Sequence, residues 1–326
     1  MIAGRRGALV GAVLLALGLV LPFVPGVYIV FAIDLVCFAL VAVAFDVLLG
    51  FTGLLSFGHA LFWGGAGYVA TIAIAHGVTS FPLALLAGVV YAFFLSALVG
   101  AISVRRSGIY FAMITLAIAE IQYFFALQFI DLTGGENGYP VTTRGTLFGL
   151  SLEDDHVYYY LVLAVATIAT AVAVRIVTSP YGAVLAAMRE NENRAKSIGY
   201  DTDRLKLAAF VISGTLAGLA GALYAGANRL ASLDAVDWHT SGAIVMMTIL
   251  GGIGTIYGPM IGAGLFQSLD FFVSKTPIGD KTNIVMGLVF AIIILIARRG
   301  IVGELMHRLR PGAVLPFDDE QPILEP

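Results

Sequence analysis

The chain has 326 residues, of which 59% are hydrophobic and only 12% charged, with a formal net charge of −3 and a mean hydropathy of +0.94. A soluble domain carries roughly 25% charged residues, so this composition excludes an ordinary soluble enzyme or nucleic-acid-binding module and points to a polytopic membrane protein. The single cysteine, Cys37, lies in an apolar run and offers neither a disulfide framework nor a cysteine metal site.

Hydrophobic segments cover residues 8–24, 27–49, 54–75, 81–104, 108–130, 157–178, 205–228, 241–254, 257–273 and 283–298. Most approach the roughly 20 residues that a bilayer-spanning helix needs. They predict an all-α fold with about 8 to 10 transmembrane helices. The first resembles a secretory signal, with Arg5-Arg6 before an apolar run. Pro22-Phe-Val-Pro25 follows where a small-residue cleavage site would stand, so it is read as a retained span. The pair 241–254 and 257–273 is short and broken by Gly251, Gly252, Gly254, Gly258 and Pro259. Two thin spans and one re-entrant hairpin both fit it.

The basic residues set an orientation. With the N-terminus in the cytoplasm, Arg5, Arg6, Arg105, Arg106, Arg175, Arg189, Arg194, Lys196, Arg204, Lys206, Arg298, Arg299, Arg308 and Arg310 fall inside. Arg144, Arg229, Lys275 and Lys281 fall outside. The positive-inside rule favours that arrangement, with both termini cytoplasmic. Residues 1–303 then form a transmembrane domain with a cytoplasmic loop at 179–204, and 304–326 form a tail with the acidic run Phe317-Asp-Asp-Glu-Gln321. Residues 27–130 and 205–298 each have a glycine-rich interruption in their first half and start on opposite sides. That is the pattern of an inverted repeat whose broken helices meet near the midplane.

Acidic groups inside spans cost about 2.5–3.5 kcal/mol each on insertion scales and must face protein or water. Asp34, Asp46 and Glu120 are of this kind, Glu120 nearest a span centre. The bland reading is an interhelical hydrogen bond; the functional one is a polar path lining. Ser56 and His59 stand one helical turn apart among Gly53, Gly58, Gly64, Gly65 and Gly67. No acid stands near them, so His59 reads as held by an interhelical hydrogen bond. A lone histidine is no metal site. Tyr110, Thr115 and Glu120 step down one span and, with Ser56, Gly58 and His59, are the candidates for a substrate path.

The most hydrophilic stretch runs from Ser179 to Gly199, SPYGAVLAAMRENENRAKSIG. Ser179 is an N-cap type, Pro180 suits the first helical position, and Gly199 suits a left-handed C′ position. Val184, Leu185 and Met188 form a small apolar face, and the residues from Arg189 to Asn193 break the helix. The stretch reads as an ordinary loop or as a docking surface at the membrane.

SPYGAVLAAMRENENRAKSIGYDTDRLKLAAFVISGTLAGLAGALY resembles the cytoplasmic loop and following helix of the LivM-type branched-chain amino-acid ABC transporter permeases. GLLSFGHALF from Gly53, SGIYFAMITLAIAE from Ser107 and GGIGTIYGP from Gly251 extend the resemblance over about residues 45–300. It implies a permease subunit of an importer in a bacterial or archaeal inner membrane. It also implies a second related permease, two cytoplasmic ATPase subunits and an extracytoplasmic substrate-binding protein as partners, alongside lipid, with no nucleic acid. Ser179, Gly182, Leu185, Met188, Arg189, Glu190, Asn191, Ala195 and Gly199 would couple to the ATPase. Thr133, Gly134, Gly135, Asn137 and Gly138, in the longest extracytoplasmic loop, are candidates for contact with the binding protein, against the bland reading of a turn-rich connector.

The four lysines all lack a preceding glycine, so there is no phosphate loop and the chain is not expected to be an enzyme. No cofactor is expected on this chain, and ATP and Mg²⁺ belong to the partner subunits. Related permeases carry urea or short amides, which keeps the substrate open. An ion-coupled secondary transporter built on Glu120, Asp34 or Asp46 is the rival; a membrane enzyme would need a clustered catalytic set, and none is seen.

Overall fold

The computed structural model describes residues 5–24, 26, 28–147, 149–276, 282–296 and 300–309. The acidic run at 317–321 and Lys281, Arg298, Arg299 and Arg310 lie outside them. The helices are α1 (Arg5–Val20), α2 (Ile29–Thr52), α3 (His59–Ala75), α4 (Phe81–Ser103), α5 (Ile109–Gln128), the short α6 (Ile130–Thr133), α7 (Asp155–Val177), α8 (Pro180–Glu190), α9 (Glu192–Ser197), α10 (Thr202–Asn228), α11 (Trp238–Gly251), α12 (Tyr257–Ser274), α13 (Thr282–Ile296) and α14 (Gly300–Leu309). Five of them, α2, α4, α5, α7 and α10, are long and apolar enough to cross a membrane. The expected polytopic all-α fold is what forms. α14 runs through the expected 303/304 division, so the first part of the expected tail is helical, and Gly300 packs on the backbone of Gly252 and Ile249.

α2 and α10 form the centre, crossed by α3, with α4, α7, α11 and α12 packed around them. Small residues allow this closeness. A Cβ on Gly221 of α10 would meet the Trp63 carbonyl of α3, and one on Gly262 of α12 would meet the Met247 carbonyl of α11. Among helices in lipid, close van der Waals packing at small residues replaces the hydrophobic drive.

Arg105, Arg106, Arg175, Arg189, Arg194, Lys196 and Arg204 mark one end of the bundle, and Arg144, Arg229 and Lys275 the other. Two helices begin between these ends. α2 stops at the Arg189 end, where Gly53 takes φ 74°, a left-handed conformation that ends helices at little cost in glycine. Residues 54–58 then climb back without helix, and α3 starts only at His59. The expected span at 54–75 is therefore shorter and follows a non-helical lead-in. α10 mirrors this. It ends at the Arg144 end, Leu233–Val236 descends beside Gly64 of α3, and α11 starts at Trp238. The two starts meet: the Ala60 amide donates to Ser241 Oγ at 2.8 Å. Neighbouring His59 contacts Ser213, eleven residues and about 16 Å along α10, so the meeting point lies near mid-depth. Non-helical backbone survives at that depth only when protein covers it. This geometry matches the inverted pattern expected from 27–130 and 205–298. It also resolves the short pair: α11 runs from mid-depth to the Arg189 end, and α12 crosses back.

Candidate functional site

The Ser179–Gly199 stretch folds as α8 and α9, separated by Asn191. Asn191 caps α9 by accepting the Arg194 N–H at 2.9 Å. Ser179 does not cap α8 through its side chain; its hydroxyl donates back to the Ile176 carbonyl at 2.6 Å. Gly199 takes φ 96°, as its position predicts. Gly182, Leu185 and Met188 are buried, as is Ala195 on α9. Their role is to seat the element on α2 and α7, so the expected apolar face is turned inward. What stays exposed is Glu190, Asn191, Asn193 and Arg194, then Ile198 and Tyr200. Tyr181 ties α8 to the next helix by donating to the Leu205 carbonyl at 2.9 Å, and burial pushes its phenol up.

Two polar links lock this element. Arg189 Nη1 donates to the Gly50 carbonyl at 2.5 Å. Gly50 must be glycine, because a Cβ would overlap Asp46 Oδ1 and the Gly254 amide. Asp46, fully buried, accepts the Gly254 N–H at 2.6 Å and the Ile256 N–H at 3.1 Å. Ile256 sits at φ 60°, a conformation that β-branched residues adopt only when their surroundings impose it. One contiguous set of contacts thus runs from α8 through the last turns of α2 into the turn between α11 and α12.

The second link centres on Glu192. Its carboxylate holds Lys206 Nζ at 2.6 Å and Lys196 Nζ at 3.0 Å and accepts from Thr202 Oγ1 at 3.1 Å. Partial burial alone would raise this carboxyl; hydrogen bonds from Lys206 and Lys196 outweigh it and bring the pKa from 4.5 to about 2. A depressed carboxylate stabilises the fold above its unfolded pKa, and that contribution is lost as pH falls from about 4.5 toward 2. Lys206 is only 6% exposed, so Glu192→Gln leaves a nearly enclosed ammonium without an anion. The expected loss is about 2–3 kcal/mol, below the 3–5 typical of a fully buried pair because Glu192 is partly solvated. Thermal unfolding in detergent reads it. Adding Lys206→Met should restore most of the loss; no recovery would show that the pair is not what α9 depends on.

The expected path residues separate. Ser56, Gly58, His59 and Thr115 are enclosed, whereas Tyr110 is 70% exposed and Glu120 partly exposed. Ser56 is not on a helix with His59; its hydroxyl accepts the Gly58 N–H at 3.2 Å. Thr115 accepts the Phe57 N–H at 3.2 Å and donates to the Ala112 carbonyl at 2.9 Å. Ser213 donates to the Ala44 carbonyl at 2.5 Å, so at the 2.8 Å contact His59 Nε2 is the donor. Phe45, Phe62 and Phe210 surround the ring. The interhelical hydrogen bond expected for His59 is therefore present. Asp34 is likewise partnered, accepting from Asn228 Nδ2 at 3.0 Å. Three enclosed atoms have no partner among the described residues, His59 Nδ1, Tyr68 Oη and Glu120 Oε1, and of these residues Glu120 is the partly exposed one.

At the other end, Thr133, Gly135 and Gly138 are buried, Gly134 is partly so, and Asn137 is exposed. Thr133 Oγ1 donates to the Ala126 carbonyl of α5 at 2.5 Å and to the Phe129 carbonyl just beyond α5 at 2.8 Å. Tyr139–Pro140 pairs with Leu230–Ala231 beside Gly138. Within residues 133–138, packing takes Thr133, Gly135 and Gly138, and Glu136 with Asn137 is turned outward. Arg144, which the sequence marks only as a charge, is buried and ties the loop to the ends of α7 and α10. No three His, Cys, Asp or Glu residues gather to hold a metal among the described residues.

A family model described as the permease component of branched-chain amino acid transport systems matches residues 27–297. The chain is similar to the high-affinity branched-chain amino acid transport system permease protein LivM of Salmonella typhimurium, 29% identical over 255 residues, 70% of this chain and 59% of that one. LivM of Escherichia coli is 28% identical over 253 residues, 69% of this chain and 59% of that one. LivH of Escherichia coli is 24% identical over 284 residues, 82% of this chain and 91% of that one. The chain thus spans about three fifths of the length of the LivM relatives. No solved structure matches it.

Proposed function

The chain belongs to the permease-component family of branched-chain amino acid transport systems, and on that premise we propose that it is one of two permeases in an ATP-driven importer of branched-chain or similar hydrophobic amino acids. The observation that carries this is the set of contacts from α8 through Arg189, Gly50 and Asp46 to the turn before α12. It joins an exposed polar surface at the basic end of the bundle to α11, one of the two helices that start at mid-depth. A soluble ATPase docked on that surface would move α8, and the motion would reach α11 and open or close the path. The basic end is then cytoplasmic, which the positive-inside rule supports. A substrate-binding protein docks at the Arg144 end, ATP and Mg²⁺ are bound by the ATPases, and this chain performs no covalent chemistry.

Affinity purification of the tagged chain in mild detergent, followed by reconstitution with the proteins that accompany it, tests the proposal. The expected result is a P-loop ATPase and a second hydrophobic permease in the eluate, and ATP-dependent leucine uptake by the vesicles. Uptake by this chain alone, driven by a proton or sodium gradient, would overturn it in favour of an ion-coupled transporter. Uptake of urea or short amides instead of leucine would keep the importer and change its substrate.

A further inference from the structure

The lining of the path follows from which exposed faces contain polar groups at mid-depth. The outer face of α4 has none: Leu83, Leu86, Val90, Phe93, Phe94, Leu98 and Ile102 are its large exposed side chains. That face suits lipid. α5 presents a stripe of Met113, Ala117, Ile121 and Phe124 at spacings of three and four, flanked by Glu120. Glu120 is the twelfth of twenty residues in α5, so it sits near mid-depth. One of its carboxylate oxygens is enclosed and unpartnered. α5 also packs against Leu233–Val236 and α11. The first turn of α11 lies close above the mid-depth contact between Ala60 and Ser241, and it exposes Trp238 and His239, the latter 70% exposed and bonded to Asp237 at 2.6 Å. Ionisable groups at this depth face a protein interior or water, not hydrocarbon chains.

We propose that the exposed stripe of α5 and the first turn of α11 form this subunit's wall of the translocation path, and that Glu120 receives the ammonium group of the substrate there. The proposal rests on the transporter reading above. Chemically, the two parts of the wall match the two parts of a branched-chain amino acid. The aliphatic and aromatic stripe accepts the apolar side chain, and the partly exposed Glu120 carboxylate accepts an N–H of the ammonium. The contact between Ala60 and Ser241 ties the wall to α3, so movement of α11 shifts one side of the path relative to α5. The second permease would close the path from the far side.

Two readouts test this in the reconstituted complex with Cys37→Ala as background. Ala117→Cys and Ile121→Cys on α5 should react with a membrane-impermeant cationic thiosulfonate, and leucine should slow the reaction. Val90→Cys and Phe94→Cys on α4 should stay unreactive. Unreactive α5 positions would overturn the wall. Separately, Glu120→Gln should raise KM for leucine at least tenfold with kcat changed less than threefold, and Glu120→Asp should recover part of the loss. A fall in kcat with unchanged KM would make Glu120 a structural group and overturn its role. Failure of the transporter reading shows elsewhere, as absence of ATP-driven uptake by the unsubstituted complex.

Discussion

In the importer proposed above, replacing Arg189 with Ala is expected to leave ATP hydrolysis running and to cut leucine uptake per ATP by about tenfold. The guanidinium makes a side-chain hydrogen bond from α8 to the end of α2, reaching the Gly50 carbonyl at 2.5 Å. That carbonyl belongs to the last turn of α2, where backbone acceptors have no partner within the helix. A hydrogen bond from a charged group contributes roughly 1.5–3 kcal/mol. About 1.4 kcal/mol is a factor of ten in an equilibrium, so its loss weakens the polar link between α8 and α2 by about that factor while the packing of Leu185 and Met188 remains. Beyond Gly50, Asp46 accepts the Gly254 and Ile256 amides and passes the displacement to the α11–α12 turn. Glu190→Ala is the informative companion. Glu190 is exposed, so its loss should weaken ATPase association without changing uptake per ATP. Proteoliposomes with measured uptake and hydrolysis read both. A wild-type ratio in Arg189→Ala would remove Arg189 from the coupling contacts.

The largest stability loss is expected at Arg144. Its guanidinium donates to the Gly226 carbonyl at 3.0 Å, the Ala227 carbonyl at 2.8 Å, the Leu152 carbonyl at 3.4 Å and Asp155 Oδ1 at 2.6 Å. It also stacks 4.7 Å from the centre of the Tyr158 ring. Gly226 and Ala227 are in the last turn of α10, so Arg144 satisfies carbonyls that the helix cannot, while Asp155 opens α7. Arg144→Ala strands these buried acceptors at once. Asp155 is 39% exposed and can rehydrate, which holds the expected loss to about 3 kcal/mol, the lower end for a broken buried pair. Arg144→Lys keeps the charge but cannot place donors on both carbonyls and the carboxylate, so it should recover less than half. Thermal unfolding of the purified chain decides it. Two variants within 0.5 kcal/mol of wild type would show that α10 ends independently of the loop.

His59 and Asp46 show how far residue type alone reaches. A histidine with no acid near it reads as hydrogen-bonded between helices, an acid inside a span reads either as hydrogen-bonded or as path lining, and His59 and Asp46 both make hydrogen bonds. The partners were not legible: Ser213 lies 154 positions from His59, and the Gly254 amide 208 from Asp46. The apolar face of α8 was visible at its helical spacing, but its direction was not. Any amphipathic helix at a membrane surface has two candidate neighbours, the bundle and a soluble partner, and Leu185 and Met188 took the bundle. The start of α3 was misplaced because 54–58 is as hydrophobic as a helix. Its lack of helical structure follows from Gly53 and from Thr115, Ser56 and Ser241, which satisfy the freed amides of 57, 58 and 60. Arg144 and Glu120 are each one charge in the sequence. One is fully bonded, the other holds an unpartnered oxygen, and no local pattern distinguishes them.

The sequence by itself determined the class: hydrophobic runs of spanning length, the basic residues grouped in alternate connections, and the break at Asn191 between α8 and α9 are local in cause, because lipid forces each span to satisfy its own backbone. Only the tertiary structure decided where α3 and α11 begin, which face α8 turns inward, and that Arg189, Gly50 and Asp46 form one connection. Those outcomes depend on carbonyls and amides supplied by segments far apart in the chain, and hydropathy contains no record of which distant group will satisfy a given buried donor.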